Sequence, residues 1–226
     1  VEQLPYASID GIWLYQLEVL GLYLSGGLVF YYFANRGLKN LLICLFSILL
    51  LGVYHVSMSW VDRPLDSIVF YNVRGCPAVH CIDNNGNSRI VYGDSLSDKR
   101  QLYRVATNYW NHHQLLSPLE VTADYQDTAL CYREQILSYH GRRICMVTDH
   151  RWRNKSAATP LYIDYLYLCK GYNGHLKELR VLFAPECIIL DASLSEHRKQ
   201  LFEEECKQSG LRFISLSEKG SVRFLL

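Results

Sequence analysis

Residues 165–190 read YLYLCKGYNGHLKELRVLFAPECIIL. An apolar, strand-like run stops at a turn that holds Gly171 and Gly174. A helical stretch follows, with Leu176, Leu179, Leu182 and Phe183 on one face. Pro185 comes next, and then a buried-type strand, ECIILDAS. Strand, turn, helix and strand in succession is the step from which layered α/β domains are built. In many α/β enzymes the catalytic ligands sit at a turn placed like this one. The segment therefore poses a chemical question along with a structural one.

Moving upstream, strand and turn signals alternate. SIVFYNV (67–73) and AVHCID (78–83) are short β-rich runs around an RGCP turn, and NNGN (84–87) is a hairpin signal before RIVYG (89–93). LSDKRQLYRVATNYWNHHQL (96–115) carries apolar residues at 102, 105, 106, 109 and 110, which is helical spacing, with Ser97 or Asp98 as N-cap. TALCYRE, QILSYH and RRICMVTD read as further strands, the last two joined at a His-Gly turn. PLYIDYLYLC is another. Downstream, SEHRKQLFEEECKQSG is a helix ended by Gly210. LRFISLS and SVRFLL read as a closing hairpin around Glu218, Lys219 and Gly220. Early strands followed by alternating strand and helix indicate an α/β or α+β layered domain.

The first 62 residues are of another kind. Residues 41–60, LLICLFSILLLGVYHVSMSW, contain no Asp, Glu, Lys or Arg, about the length a spanning helix needs, with Tyr, His and Trp near the end where an interface would lie. Residues 19–34 are also uncharged. Extending back to Ile12 adds Gln16 and Glu18, which leaves an amphipathic surface helix as the alternative. The expectation is a membrane region over 1–62, with helices at about 12–34 and 40–60, and a soluble domain over 64–226 after the VDRPLD linker. The linking NRGLKN carries Arg36 and Lys39, and the outer flanks carry Glu2, Asp10, Asp62 and Arg63. By the positive-inside rule the link is cytoplasmic and the soluble domain extracytoplasmic. The chain begins at Val1 without an initiator Met, so a piece of a longer protein is expected.

Charge excludes little except a strongly basic nucleic-acid binder. The net charge is +1, made of −1 over residues 1–63 and +2 over the rest. Eight cysteines form no C-x-x-C pair, and most lie in apolar runs, as buried thiols do. Unpaired thiols weigh mildly against an oxidising compartment. No H-x-H, H-E-x-x-H, G-x-S-x-G, G-x-G-x-x-G or P-loop occurs. His112 and His113 are adjacent and point about 100° apart on a helix. Asp149 and His150 end a strand in VTDH, a better place for metal ligands. Ser95 in YGDS follows a strand without a nucleophile motif. Arg142 and Arg143 form one basic pair. HRWRNK (150–155) sets Trp152 between Arg151 and Arg153, with Lys155 beyond, so that the indole could stack on a base. A solvated loop is the alternative.

The order of these motifs resembles the end of the ComEC family of competence proteins, inner-membrane channels for DNA uptake in transformation. The family's terminal domain has a metallo-β-lactamase fold and opens on a strand–turn–strand like F-L-D-V-G-Q-G-D-A; here the stretch is FYNVRGCPA, residues 70–78. The motif's Asp is replaced by Asn72, and the main zinc motif H-x-H-x-D-H is absent. ICMVTD matches a later strand whose Asp is a ligand, which makes Asp149 a remnant. YLYLCKGYNG places Lys170 and Gly171 near the two histidines of K-x-x-H-H-G-S. The closing Pro, strand, helix and Gly-containing end also match.

The resemblance implies a multi-pass inner-membrane protein with a periplasmic, metallo-β-lactamase-like sandwich that lacks its zinc motif, binds no cofactor and is non-catalytic. The partners implied are single- or double-stranded DNA, the membrane, and the upstream channel domain of the same protein. The DNA-contact candidates are Arg142, Arg143, Arg151, Trp152, Arg153, Lys155 and Lys170. Two alternatives stand beside it. One is a metal-dependent nuclease with rearranged ligands, using Asp149, His150 and His112 or His175. The other is an assembly module without DNA contact.

Overall fold

The computed structural model describes residues 13–93 and 98–226, which fall into two compact units. Glu2, Asp10, the start of the first helix at Ile12, Ser95 and the cap candidate Ser97 lie outside the described residues.

The first unit holds helices α1 (Gln16–Ala34) and α2 (Leu38–Val61), packed on each other. Both are long and apolar enough to cross a membrane by length and composition, and they expose that apolar surface: Leu20 is 65%, Phe30 78% and Leu49 64% accessible. The link is short. The Asn35 N–H donates to the Tyr31 carbonyl at 2.9 Å, and Asn40 Nδ2 donates to the Asn35 carbonyl at 2.9 Å, so the helix ends are satisfied locally. Gly21 lets the helices approach, since a Cβ there would stand 3.0 Å from Leu51. Polar groups gather at one end of the pair. Glu18, 2% exposed, accepts from the Tyr15 N–H at 2.9 Å and pairs with His55 at 2.7 Å, while Tyr15 Oη donates to Asp62 at 2.5 Å. Residues 108–115 group with this unit, and there His112 lies 3.6 Å from Asp62.

The second unit is a pair of sheets. Its elements are β1 (Ser67–Phe70), β2 (Ala78–Ile82), β3 (Ser88–Tyr92), α3 (Lys99–His112, which ends in the first unit), β4 (Leu119–Val121), β5 (Tyr125–Gln126), β6 (Leu130–Arg133), β7 (Ile136–Tyr139), β8 (Arg142–Val147), β9 (Leu161–Leu168), α4 (Leu176–Arg180), β10 (Phe183–Leu190), α5 (Glu196–Ser209), β11 (Arg212–Ser215), α6 (Leu216–Lys219) and β12 (Val222–Leu225). One sheet runs β12-β1-β2-β3-β4 and the other β11-β10-β9-β8-β7-β6-β5. In the larger sheet β5 to β8 form an antiparallel meander, and β8 to β11 are parallel. The switch follows from the connections. A two-residue turn allows only reversal, whereas β9 reaches β10 through α4 and β10 reaches β11 through α5.

Alternation decides what faces what. Ile68, Phe70, Val79, Cys81 and Val91 meet Leu137, Ile144, Met146, Tyr167 and Ile189 between the sheets. Phe70 is fully buried and meets Tyr165, Tyr167 and Phe224 edge-on at 5.2–5.9 Å. On the outer face of the larger sheet, Leu166, Leu168, Ile188 and Leu190 pack with Leu176 and Leu179 of α4 and Phe202 and Cys206 of α5. On the outer face of the smaller one, Lys99 and Tyr103 of α3 reach Glu120 of β4 at 2.6 and 3.1 Å, bringing the buried Leu102 and Ala106 inward. The α/β layering expected from sequence is present, with both sheets between helices.

Three expectations are corrected. The helix after the glycine turn is α4 alone and stops at Arg180, because Phe183 is already in β10. Pro185 lies inside that strand; it pairs with Ile163 on one side, while β11 begins only opposite Cys187, so the missing N–H faces an edge. The closing hairpin does not form. β11 pairs with β10 and β12 with β1, in different sheets, because α6 and Gly220 (φ +82°) redirect the chain and the fully buried Leu216 anchors the crossing. Two short strands, β4 and β5, were not anticipated; too few residues alternate there to announce them.

The eight cysteines are free thiols, seven of them buried. Burial pushes the thiols of Cys145 and Cys206 up to about 12, and raises those of Cys81 and Cys169 well above the ordinary thiol range. His80 is also fully buried on β2, its Nδ1 2.7 Å from Tyr71 Oη, and desolvation pushes its imidazole down to about 3.

Two outcomes follow from this packing. Phe70→Ala is expected to cost about 3–5 kcal/mol, measured by equilibrium denaturation. The unfolded chain protonates His80 near pH 6.5, but the folded chain does so only near 3. Unfolding therefore takes up a proton in that window, and stability contributed by neutral His80 is lost as pH falls through it, by up to about 1.4 kcal/mol per pH unit. A His80→Gln variant is expected to show a flatter stability profile between about pH 6 and 4.

Candidate functional site

The parallel strands of the larger sheet end together, and the loops after β1, β8, β9 and β10 meet at that edge. Asp191, at the end of β10, organises part of it. The carboxylate is 2% exposed, accepts from Tyr167 Oη, and accepts from the Ser193 N–H at 2.9 Å. Burial raises its carboxyl above the usual range, and the Tyr167 phenol is raised well above its own by burial and by this carboxylate. Ser193 Oγ in turn accepts the Gly75 N–H at 2.8 Å, which ties the β1–β2 loop to the β10–α5 loop.

The glycine turn after β9 lies against the end of β8. Gly171 has φ +116°, and a Cβ there would stand 2.2 Å from the Thr148 carbonyl oxygen. No side chain fits at 171 without moving backbone. Tyr172 turns inward, 1% exposed, stacks on Phe202 at 6.3 Å, and donates to the His175 carbonyl at 3.0 Å. Gly174 allows this, since a Cβ would lie 2.3 Å from the Tyr172 hydroxyl.

Two concavities open at this edge. One, of about 540 Å³, is lined by Lys170, Gly171 and Ser193 among others; the other, of about 450 Å³, by Gly93, Asp124, Glu134 and Asp149 among others. Asp149 is fully engaged. Its Oδ1 accepts the Arg151 N–H at 2.9 Å, its Oδ2 lies 3.0 Å from the Arg151 guanidinium, and Gln135 Nε2 donates to Oδ2 at 3.2 Å. Gln135 is 6% exposed, donates also to Thr148 Oγ1, and accepts from Trp152 Nε1 at 3.3 Å. Glu134 and Gln135 both have positive φ in the two-residue turn between β6 and β7, an unusual conformation for residues other than Gly, Asn or Asp.

The sequence candidates are dispersed. His150 is exposed and tilts against Tyr172, 5.9 Å between ring centres. His175 pairs with Glu205 of α5 at 2.6 Å, and His112 belongs to the helical unit. Among the described residues no three His, Cys, Asp or Glu side chains come together as a metal site requires. Arg142 pairs with the buried Asp164 at 2.6 Å, and Arg143 N–H donates to the same carboxylate, at the far end of β8 from Arg151. Trp152 packs edge-on to Phe183 with Lys155 over its ring, and Arg153 lies 3.7 Å from Glu178. Lys170 is exposed. Gln135 and Asp191 escaped sequence reading. Only Asp191 left a signal, as the single acid ending the apolar run CIIL.

Gly171→Ala is expected to destabilise by about 2 kcal/mol or more, from backbone strain and the Thr148 contact together. Gly141→Ala, with similar φ (+79°) but open space, is expected to cost only about 1 kcal/mol. Paired denaturation curves check the difference.

Residues 68–226 match the family model for the ComEC C-terminal domain. No curated protein and no solved structure matches the chain.

Proposed function

The chain belongs to the ComEC family, and we propose from that membership that it is the C-terminal part of a competence channel that takes up DNA through the bacterial inner membrane. The match over 68–226 carries this reading. Residues 1–62 form its last two spanning helices, and 64–226 its soluble domain; the exposed apolar faces of α1 and α2 support the first assignment. Arg36 and Lys39 in the link favour a multi-pass topology with the soluble domain on the periplasmic side.

We read that domain as a metallo-β-lactamase-like sandwich that contacts DNA without cleaving it. Three observations support a non-catalytic role. Asp149 is bound to Arg151 and Gln135, position 171 has no room for a side chain, and His175 and His112 pair with Glu205 and Asp62. Hydrolysis of a phosphodiester by this fold needs metal held by several such groups at once. The match to a C-terminal domain of the family supports contact with an upstream channel domain as part of this reading.

The test is transformation by cells whose gene ends after the codon for Arg63. A fall of about tenfold or more in DNA uptake is expected, and unchanged uptake at equal membrane abundance overturns the reading. Metal analysis of the purified chain is expected to find zinc and manganese well below stoichiometry. Stoichiometric metal with metal-dependent DNA cleavage would establish the rearranged nuclease instead.

A further inference from the structure

The larger concavity has a charge pattern unlike its neighbour's. Arg74 reaches it from the loop after β1, Lys170 from the turn after β9, and Arg198 from the first turn of α5. No Asp or Glu is among its lining residues. Arg198 is held in place: its guanidinium donates to the Gly174 carbonyl at 2.5 Å and lies 4.8 Å over the Phe202 ring. Arg74 and Lys170 are exposed and pair with no carboxylate among the described residues. Three cations around one concavity repel each other and focus a positive field into it.

A second feature has the same sign. Ser195, which lines the concavity, is the N-cap of the 14-residue α5 and makes no side-chain cap hydrogen bond. The positive end of that helix is thus uncapped by its own serine. The neighbouring concavity carries Asp124, Glu134 and Asp149 against Arg151 alone. A polyanion at this edge is drawn to one side and repelled from the other.

We propose that the concavity of Arg74, Lys170 and Arg198 binds a phosphodiester group of a nucleic-acid strand. The inference rests on the DNA-handling function above and gives it a location. Arg198 is the fixed donor, and Arg74 and Lys170 close on the phosphate from the rim. The site reads backbone and not sequence. Its aromatic residue, Tyr172, is buried on Phe202 and offers no face to a base.

The test uses the whole 226-residue chain in detergent micelles. Fluorescence anisotropy with labelled single-stranded and duplex oligonucleotides of mixed sequence measures binding against salt. Calorimetry with inorganic pyrophosphate measures the anion site alone. An Arg74→Ala/Lys170→Ala double variant is expected to lose about tenfold or more in DNA affinity. Its salt slope on single strands should be shallower by about 1.4, for two lost contacts. Both side chains are exposed, so its thermal midpoint should stay within about 2 °C of the parent. Arg180→Ala, at the end of α4 beside the start of β9 and so at the opposite end of the strand from Lys170, is expected to bind as the parent does. Equal losses on single strand and duplex support a phosphate contact common to both. DNA binding that the double variant retains in full overturns this site and leaves the DNA-handling function standing. Pyrophosphate binding lost in the double variant, with no DNA binding by the parent, overturns the nucleic-acid ligand together with that function. No binding of either ligand overturns the site.

Discussion

Phe70 is the side chain on which both sheets close. It rises from β1, the first strand of its unit, meets Tyr165 and Tyr167 of the opposite sheet, and is flanked by Phe224 of β12, the last strand. The beginning and end of the layered domain are therefore held at one aromatic contact. Such burial is non-directional in its driving force, but the edge-on geometry is not. It ties the strand order of the smaller sheet to the position of the parallel strands in the larger, whose ends carry the candidate site.

That edge shows how close packing shapes chemistry. The turn after β9 lies so near Thr148 that only glycine fits at 171, and the strand end behind it commits Asp149 to Arg151 and Gln135. Of the groups a hydrolytic centre would need, Asp149, His175 and His112 each face a charged or polar protein partner. In the larger concavity the charge left without a carboxylate partner is positive: Arg74 and Lys170 on exposed side chains and Arg198 on a braced one. Binding of an anion requires only such charge in a concave, partly desolvated place. Bond cleavage requires an activated nucleophile in addition.

Much of the fold was legible in the sequence, for a physical reason. β1 to β3, the meander from β6 to β8, β9 and α5 each impose a local period of 2 or 3.6 and end at turn residues such as Gly86, Gly141 and Gly210. The pairing of β12 was hidden because Glu218, Lys219 and Gly220 suit either a hairpin or a crossing, and only tertiary burial of Leu216 selects the second. The extent of β10 was hidden because Pro185 argues locally against a strand, while its tolerance depends on where β11 starts. At the edge, the absence of any H-x-H or H-E-x-x-H run was visible in the sequence. The concavity was not, since Arg74, Lys170 and Arg198 come from three segments far apart in the chain. Trp152 looked like a stacking platform from its arginine neighbours, and its contact with Phe183 is a tertiary fact.

The buried thiols have a consequence for the lifetime of the protein. Thiolate is the form that reacts with oxidants and disulfides, and burial suppresses it at Cys81, Cys145, Cys169 and Cys206. While the sandwich is closed, these sulfurs are inert even in an oxidising compartment. Once it opens in such a medium, several become reactive in one chain, and cross-linking competes with refolding. Endurance there is governed by how seldom the sheets part and not by the equilibrium between folded and unfolded forms. In an oxidising medium the same buried cysteines would push unfolding towards a one-way event.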